Sequence, residues 1–445
     1  MGNIADRLPH SGNWFSFLIL FFASPLLAQT DETIFREFQF DFSTPGARAN
    51  GMGRAFVGLA DEATAAYNNP AGLSVLQKPE FSIEYRFNQS EFDALKANET
   101  FDILQSAPED TTFNLERVGF ASYAFSRHGY NFSLFYVNNL DYRRKPVADR
   151  VELTNLDEGY TGTYLNTHNV RQIRLNTYGF SVSKDFGRLD LGVAIAMANL
   201  KTDFEYSTSL FVRNVLDNLI TSEGQGNSYK AAYVFGANYQ LHPKVKLGLA
   251  YKHQPRFTYT EEVQNNEFSS SPESIPVNIK IPDSYQIGLA VAPNDYLTLL
   301  MDVDWVRYDQ LIGENMTVLS RVNIFFPPGT DLFTFDQDDF EISRKPEIHL
   351  GGEYLLPWKS HIWAFRAGLF FDPDHKTRFV GTPEEGEEPI LFDIQSFIFN
   401  PQERNDDIGT TLGLGYVWGG KMQFDIALVQ SDRFRRVVTS FLYRF

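Results

Sequence analysis

Between Glu80 and Phe445 apolar and polar residues alternate with a period of two, segment after segment. Successive side chains of a β-strand point to opposite faces. "LTLLMDVDWVRY" therefore puts Leu299, Met301, Val303 and Trp305 on one face and Leu300, Asp302, Asp304 and Val306 on the other. The terminal "RRVVTSFLYRF" sorts in the same way, with Val437, Thr439, Phe441, Tyr443 and Phe445 against Val438, Ser440, Leu442 and Arg444. Tight-turn residues punctuate the pattern at Arg127-His128-Gly129, Phe186-Gly187-Arg188, His242-Pro243-Lys244, Pro293-Asn294-Asp295, Pro357-Trp358-Lys359 and Gly419-Gly420. Longer polar stretches lie between the pairs, at 89–113, 139–172, 203–228, 256–277, 311–343 and 373–406, with a short one at 431–434. The pattern predicts about fourteen strands, from "EFSIEYRFN" (Glu80 to Asn88) to Phe445.

Short turns alternating with long connections are the mark of a transmembrane antiparallel β-barrel, an all-β fold. A backbone in hydrocarbon must satisfy its hydrogen bonds internally, and a closed barrel does so because it has no edge. Asp302 and Asp304 then belong to a polar lumen, where they read as solvated carboxylates, with a cation site as the alternative. One long connection reads differently. "LFVRNVLDNLI", Leu210 to Ile220, spaces Phe211, Val215 and Leu219 at i, i+4 and i+8. That spacing predicts an amphipathic helix with an apolar face, which either lids the barrel or offers an apolar ligand a first landing place outside the cell.

Composition changes the picture in three ways. Aromatic residues make up 15% of the 445 residues, with 41 Phe and 21 Tyr, while mean hydropathy is negative. After residue 30 no run approaches the ~20 apolar residues of a membrane helix. A net charge of −17 argues against nucleic acid as a partner. With no cysteine, disulfides, thiolate metal sites and cysteine nucleophiles are excluded. The N-terminal "WFSFLILFFASPLLA" after Arg7 reads as a signal peptide over 1–28, cleaved near Ala28. No HExxH, G-x-S-x-G, Walker lysine or metal-spaced histidines occur, so neither an enzyme nor a metal or cofactor site is expected.

The glycine-rich "GARANGMGRAFVGLADEATAAYNNPAGLS", Gly46 to Ser74, superficially suggests a dinucleotide loop. Such a loop follows a buried strand and opens a helix of a βαβ unit. Here "DFSTPGARAN" precedes it and no parallel α/β pattern follows. Small, conformationally free Gly51, Gly53 and Gly58 suit a segment folded tightly inside a lumen, with a short helix in "AFVGLADEATAAY" ended by Asn68-Asn69-Pro70.

"GMGRAFVGLADEATAAYNNPAGL", "IPDSYQIGLAVAPNDYLTLLMDVDWVRYDQL" and "WAFRAGLFFDPD" together resemble the outer-membrane long-chain fatty-acid and hydrocarbon transporter family (FadL type). The resemblance implies a bacterial outer-membrane barrel over 80–445 and an N-terminal plug over 29–79, with Gly51, Gly53, Asn69, Pro70 and Ala71 in the plug motif. It implies passive, plug-gated movement of a hydrophobic ligand with release through a gap in the wall. Implied partners are that ligand, outer-membrane lipid and lipopolysaccharide, and the barrel-assembly machinery reading Phe445, with the barrel a monomer. The opening motif also resembles the barrels that serve the type IX secretion system as shuttles for secreted proteins, so protein cargo stays open as the alternative.

Overall fold

The structure is a computed structural model. It describes residues 42, 44–91, 102–105, 112–144, 147–155, 160–212, 215–263, 273–312, 338, 340–381 and 406–445. The signal peptide expected over 1–28 and the start of the expected plug lie outside the described residues.

Fourteen strands close into an antiparallel barrel. They are β1 Glu80–Glu91, β2 Thr112–Arg127, β3 Tyr130–Arg144, β4 Tyr160–Asp185, β5 Leu189–Val212, β6 Val215–His242 and β7 Val245–His253. After these come β8 Ser284–Asn294, β9 Leu297–Val306, β10 Glu347–Trp358, β11 His361–Asp372, β12 Asp407–Trp418, β13 Met422–Gln430 and β14 Phe434–Arg444. Each strand pairs with its neighbours in sequence. The ladder between β1 and β14, from Glu80↔Arg444 to Ser90↔Phe434, shuts the ring.

The two faces segregate as the alternation requires. Along β9, Leu299, Met301 and Trp305 are exposed, while Leu300 and Asp302 are buried. Val438 and Leu442 of β14 face inward, and Phe441 sits in the outer row beside Phe424 of β13. All six short turns fall where turn composition places them. Each is flanked by an exposed aromatic: Tyr130, Phe186, Tyr239, Tyr296, Trp358 and Trp418. Phe445 joins that row at the C-terminus. Such a girdle sits at the boundary of the hydrocarbon layer. Among the described residues no helix is long and apolar enough to cross a membrane.

Two expectations need correction. The stretches 139–172 and 203–228 are not simply loops, because β4, β5 and β6 run on for 26, 24 and 28 residues. A strand needs only about 9–11 residues to cross a bilayer, so this ribbon extends well beyond it. The helix expected over Leu210–Ile220 is absent: its backbone is the end of β5 and the start of β6, paired Phe211↔Leu216 and Val212↔Val215. Short apolar runs are ambiguous between the two periods. Here the β-branched Val212 and Val215, with Asn214, Asp217 and Asn218 weakening a helix, favour the hairpin. The side chains of Phe211, Val215 and Leu219 lie outside the described residues.

Residues 44–79 run inside the ring. They form a single turn α1 (Ala47–Asn50), a single turn α2 (Ala65–Asn68) and a 3-10 stretch Pro70–Val75. The helix expected in "AFVGLADEATAAY" is thus only its last turn, since Gly58 and Asp61 interrupt what precedes it.

Candidate functional site: a filled lumen and a parting in its wall

The N-terminal segment reaches every strand of the barrel. Its Gly46 amide donates to Glu84 of β1, and its Ala63, Leu76 and Ala66 carbonyls accept from Ser122 of β2, Asn131 of β3 and Ser181 of β4. Leu59 accepts from Lys246 of β7, and Gly53 donates to Thr411 Oγ1 of β12 at 2.8 Å. The Phe56 and Val57 amides converge on Asp302 Oδ2 of β9 at 2.6 and 2.7 Å. Arg48 pairs with Glu353 of β10, and Ala47 packs on Ala427 of β13 and Val438 of β14.

The remaining strands are met through glycine. Gly192 of β5 lies opposite Gly236 of β6, Gly248 of β7 opposite Gly288 of β8, and Gly351 of β10 opposite Gly368 of β11. A methyl group on any of the six would strike the N-terminal segment: Ala71 N, Asn69 Oδ1, Val57 O, Gly58 N, Met52 O and Gly53 N respectively. Gly51 meets Gly413 of β12 in the same way. The glycine-rich stretch is therefore half of a backbone-to-backbone seam, whose other half the barrel supplies. Gly53 adds a left-handed φ of +66°, which favours glycine there.

Asn69, fully buried, donates from Nδ2 to Val57 O at 3.0 Å and to Asn238 Oδ1 of β6 at 2.8 Å. Its Oδ1 accepts the Ala71 amide at 3.3 Å, capping the 3-10 stretch that Pro70 opens. The sequence singled out Gly51, Gly53, Asn69, Pro70 and Ala71, and all five sit at this seam. Phe211, Val215 and Leu219 belong to the distant ribbon.

The wall itself is not uniform. The β2–β3 ladder runs only from Arg127↔Tyr130 to Phe120↔Val137. Beyond it Thr112–Val118 pair with β1 alone, and Asn138–Arg144 with β4 alone. Both strands carry a bulge at the fork. Gly119 has no partner on β1, and Asn139 is the extra residue between Asn138↔Asn176 and Leu140↔Leu175. Bulges bend a strand and end its pairing, which accounts for the divergence. Arg117 of β2 and Asp141 of β3 form an ion pair across the parting. From inside, Tyr67 of α2 accepts Asn139 Nδ2 and, at 3.0 Å, Gln254 Nε2. Burial pushes the Tyr67 phenol pKa up against these hydrogen bonds, so it stays neutral.

Beside the fork the lumen is apolar. Leu140 of β3, Ile173 and Leu175 of β4, Leu200 of β5 and Ile281 ahead of β8 are buried in one cluster with Phe56 and Tyr67 of the N-terminal segment. Sequence reasoning missed this cluster and the fork, because both depend on strand register.

These features define an outer-membrane transport barrel. The profile of a family described as outer membrane protein transport protein (OMPP1/FadL/TodX) matches residues 41–384, and the chain belongs to that family. A sequence comparison with curated proteins finds no match. Among solved structures, a Pseudomonas aeruginosa FadL homologue superposes with a TM-score of 0.58 at 12% identity, covering 91% of this chain and 99% of its own. The Ralstonia pickettii toluene transporter TbuX gives 0.56 at 13%, covering 92% and 100%. The Pseudomonas putida toluene transporter TodX gives 0.52 at 11%, covering 91% and 97%. At such identities the likeness is one of fold.

Proposed function

We propose that this chain carries long-chain fatty acids or hydrocarbons across the outer membrane by passive diffusion. Residues 29–79 serve as the plug, and the parting of β2 from β3 is the lateral exit. The observation that carries this reading is the apolar cluster Leu140, Ile173, Leu175, Leu200 and Ile281 abutting that fork. An apolar chain entering there gains roughly 0.8 kcal/mol per CH₂ removed from water. A polar porin channel offers it no such gain. Shifts of Tyr67 and of the Arg117–Asp141 pair open the way sideways into the bilayer, with no nucleotide or proton chemistry required.

The test uses the cysteine-free chain. Cysteines introduced at Arg117 and Asp141 are bridged by a bis-maleimide in cells that lack the native gene and take up labelled oleate or alkane. Uptake restored by the unbridged variant and lost on bridging supports the reading. Uptake indifferent to deletion and to bridging sinks it. Loss of secreted proteins with uptake unchanged favours the type IX alternative.

A further inference from the structure

We infer that Asp304 of β9 with Glu347 and His349 of β10 forms a binding site for a first-row divalent cation that fastens the N-terminal segment to the barrel wall. Each of the three offers one ligand atom, and those atoms lie within 4.8 Å of one another. Among the described residues no other such group of His, Asp and Glu occurs. The register explains the convergence. Asp304 lies directly opposite Glu347, and Asp302 opposite His349, so all four side chains project into the lumen from adjacent strands.

The histidine tautomer makes the case. His349 Nδ1 lies 3.0 Å from Gly53 O. A carbonyl oxygen only accepts, so Nδ1 carries the hydrogen, and in the neutral ring Nε2 presents a lone pair. That lone pair faces Glu347 Oε2 at 3.6 Å and Asp304 Oδ2 at 3.8 Å. Both separations are too long for hydrogen bonds. Two ligands each ~2.1 Å from a tetrahedral metal ion lie ~3.4 Å from one another, so the 3.6 and 3.8 Å separations need only a small inward shift to close on an ion.

The surrounding groups are arranged as for a ligated ion. A metal-bound histidine commonly gives its other N–H to a backbone carbonyl, as His349 does to Gly53. Tyr308 Oη donates to Glu347 Oε1 at 3.0 Å, leaving Oε2 turned toward His349. Gln286 Nε2 donates to Asp304 Oδ2, while Asp304 Oδ1 is sealed from solvent with no hydrogen-bond partner. The side chains of Glu347 and His349 are only 9% and 3% exposed. Lys252 and Arg54 are the cations facing this cluster, and Lys252 Nζ sits 4.8 Å over the Tyr67 ring. Metal ligands bind deprotonated, so an ion here would hold both carboxylates ionised and the imidazole neutral. One imidazole and two carboxylates suit Zn²⁺ or Mn²⁺ better than the alkaline earths.

The chemistry has a mechanical corollary. Gly53 orients the imidazole, so ion binding and seating of the segment are linked, and each strengthens the other by the same factor. The inference is independent of what the barrel carries.

Full-length mature protein, folded in detergent and stripped with chelator, is titrated with Zn²⁺ by calorimetry, with bound metal counted by mass spectrometry. The expected result is saturable binding of one Zn²⁺ per chain. Binding should be at least tenfold weaker in Glu347→Gln and in Asp304→Asn, with hydrogen exchange across 47–76 slowed by Zn²⁺ in the wild type alone. Heat-modifiable gel mobility establishes that each barrel is folded. A folded wild type that binds no stoichiometric Zn²⁺ overturns the inference and leaves an imidazolium clasped by two carboxylates. Binding undiminished in both variants overturns it too, placing the metal on surface acids.

Discussion

Arg48 and Glu353, 305 residues apart, meet fork to fork: Nε donates to Oε2 at 2.9 Å and Nη2 to Oε1 at 2.7 Å. Arg48 Nη1 also reaches Asp61 Oδ1 at 2.6 Å, and Arg366 Nε donates to Glu353 at 2.7 Å. The pair couples α1 to the inner face of β10. Removing one partner of a buried pair costs about 3–5 kcal/mol by stranding the other charge. Arg366 still compensates Glu353, so Arg48→Ala should loosen the segment by about 3 kcal/mol, the low end of that range. Hydrogen exchange across 44–76 measures this, and unchanged protection would show that the glycine seam alone holds the segment.

Protonation of Glu62 should make that seating depend on pH. Burial, reinforced by Asp425, Asp61 and Glu80 and opposed by Arg48, pushes its carboxyl from 4.5 up to about 7. A carboxyl raised in the folded state favours its neutral form there. Its contribution is complete below about 4.5 and is lost as pH rises through about 7. Exchange of 44–76, corrected for intrinsic rate, should therefore be slower at pH 5.5 than at pH 8, and Glu62→Gln should flatten the difference. Equal pH dependence in wild type and variant would assign it to another group.

Gly351 and Gly352 are neighbours on β10 with opposite fates. A methyl group at Gly351 collides with Met52 O, whereas at Gly352 the nearest atom is Leu299 Cδ2 at 3.5 Å. Gly351→Ala should unseat the segment and raise single-channel conductance in planar bilayers. Gly352→Ala should behave as wild type. Two silent variants would mean that the seam yields without cost.

Phe445 is 55% exposed, lies edge-on to Tyr443 at 4.9 Å and donates its amide to Pro79 O at 3.0 Å. Those contacts contribute little to a ladder already closed from Glu80 to Ser90. Deletion of Phe445 should therefore leave the melting of the assembled fraction within a few degrees, and, on the proposal that the barrel-assembly machinery reads this residue, lower the amount of barrel assembled in cells several-fold. A large fall in thermal stability instead would make the residue structural.

Much of this architecture is legible in the sequence because a half-buried strand writes its period directly into hydropathy. The turns at His128-Gly129 and Gly419-Gly420, and the facing of Asp302 and Val438, need only local information. The Leu210–Ile220 hairpin was not legible, because a spacing of four over so short a run fits a strand that reverses as well as a helix. The fork at Gly119 and Asn139 was hidden because a bulge is a property of two paired strands. Asp304, Glu347 and His349 carried a faint signal. Glu347-x-His349 and Asp302-x-Asp304 each place two polar groups on one strand face, but a search for helical histidine spacing passes over them. Only the register of β9 on β10, fixed across a connection of some forty residues, brings them together.

The seam of Gly192, Gly236, Gly248, Gly288, Gly351 and Gly368 has one more consequence. Its contacts are mostly main chain, the side-chain oxygens of Asn69 at Gly236 and of Asp302 at Gly288 excepted, so there is little in it to repack. Leu140 and Ile173 pack in the apolar cluster and not on these glycines, so exchanging them for others of different shape leaves the glycine contacts in place. On the proposed reading, the part that decides what enters is thereby separate from the part that closes the pore, and the first can be retuned while the second stands still.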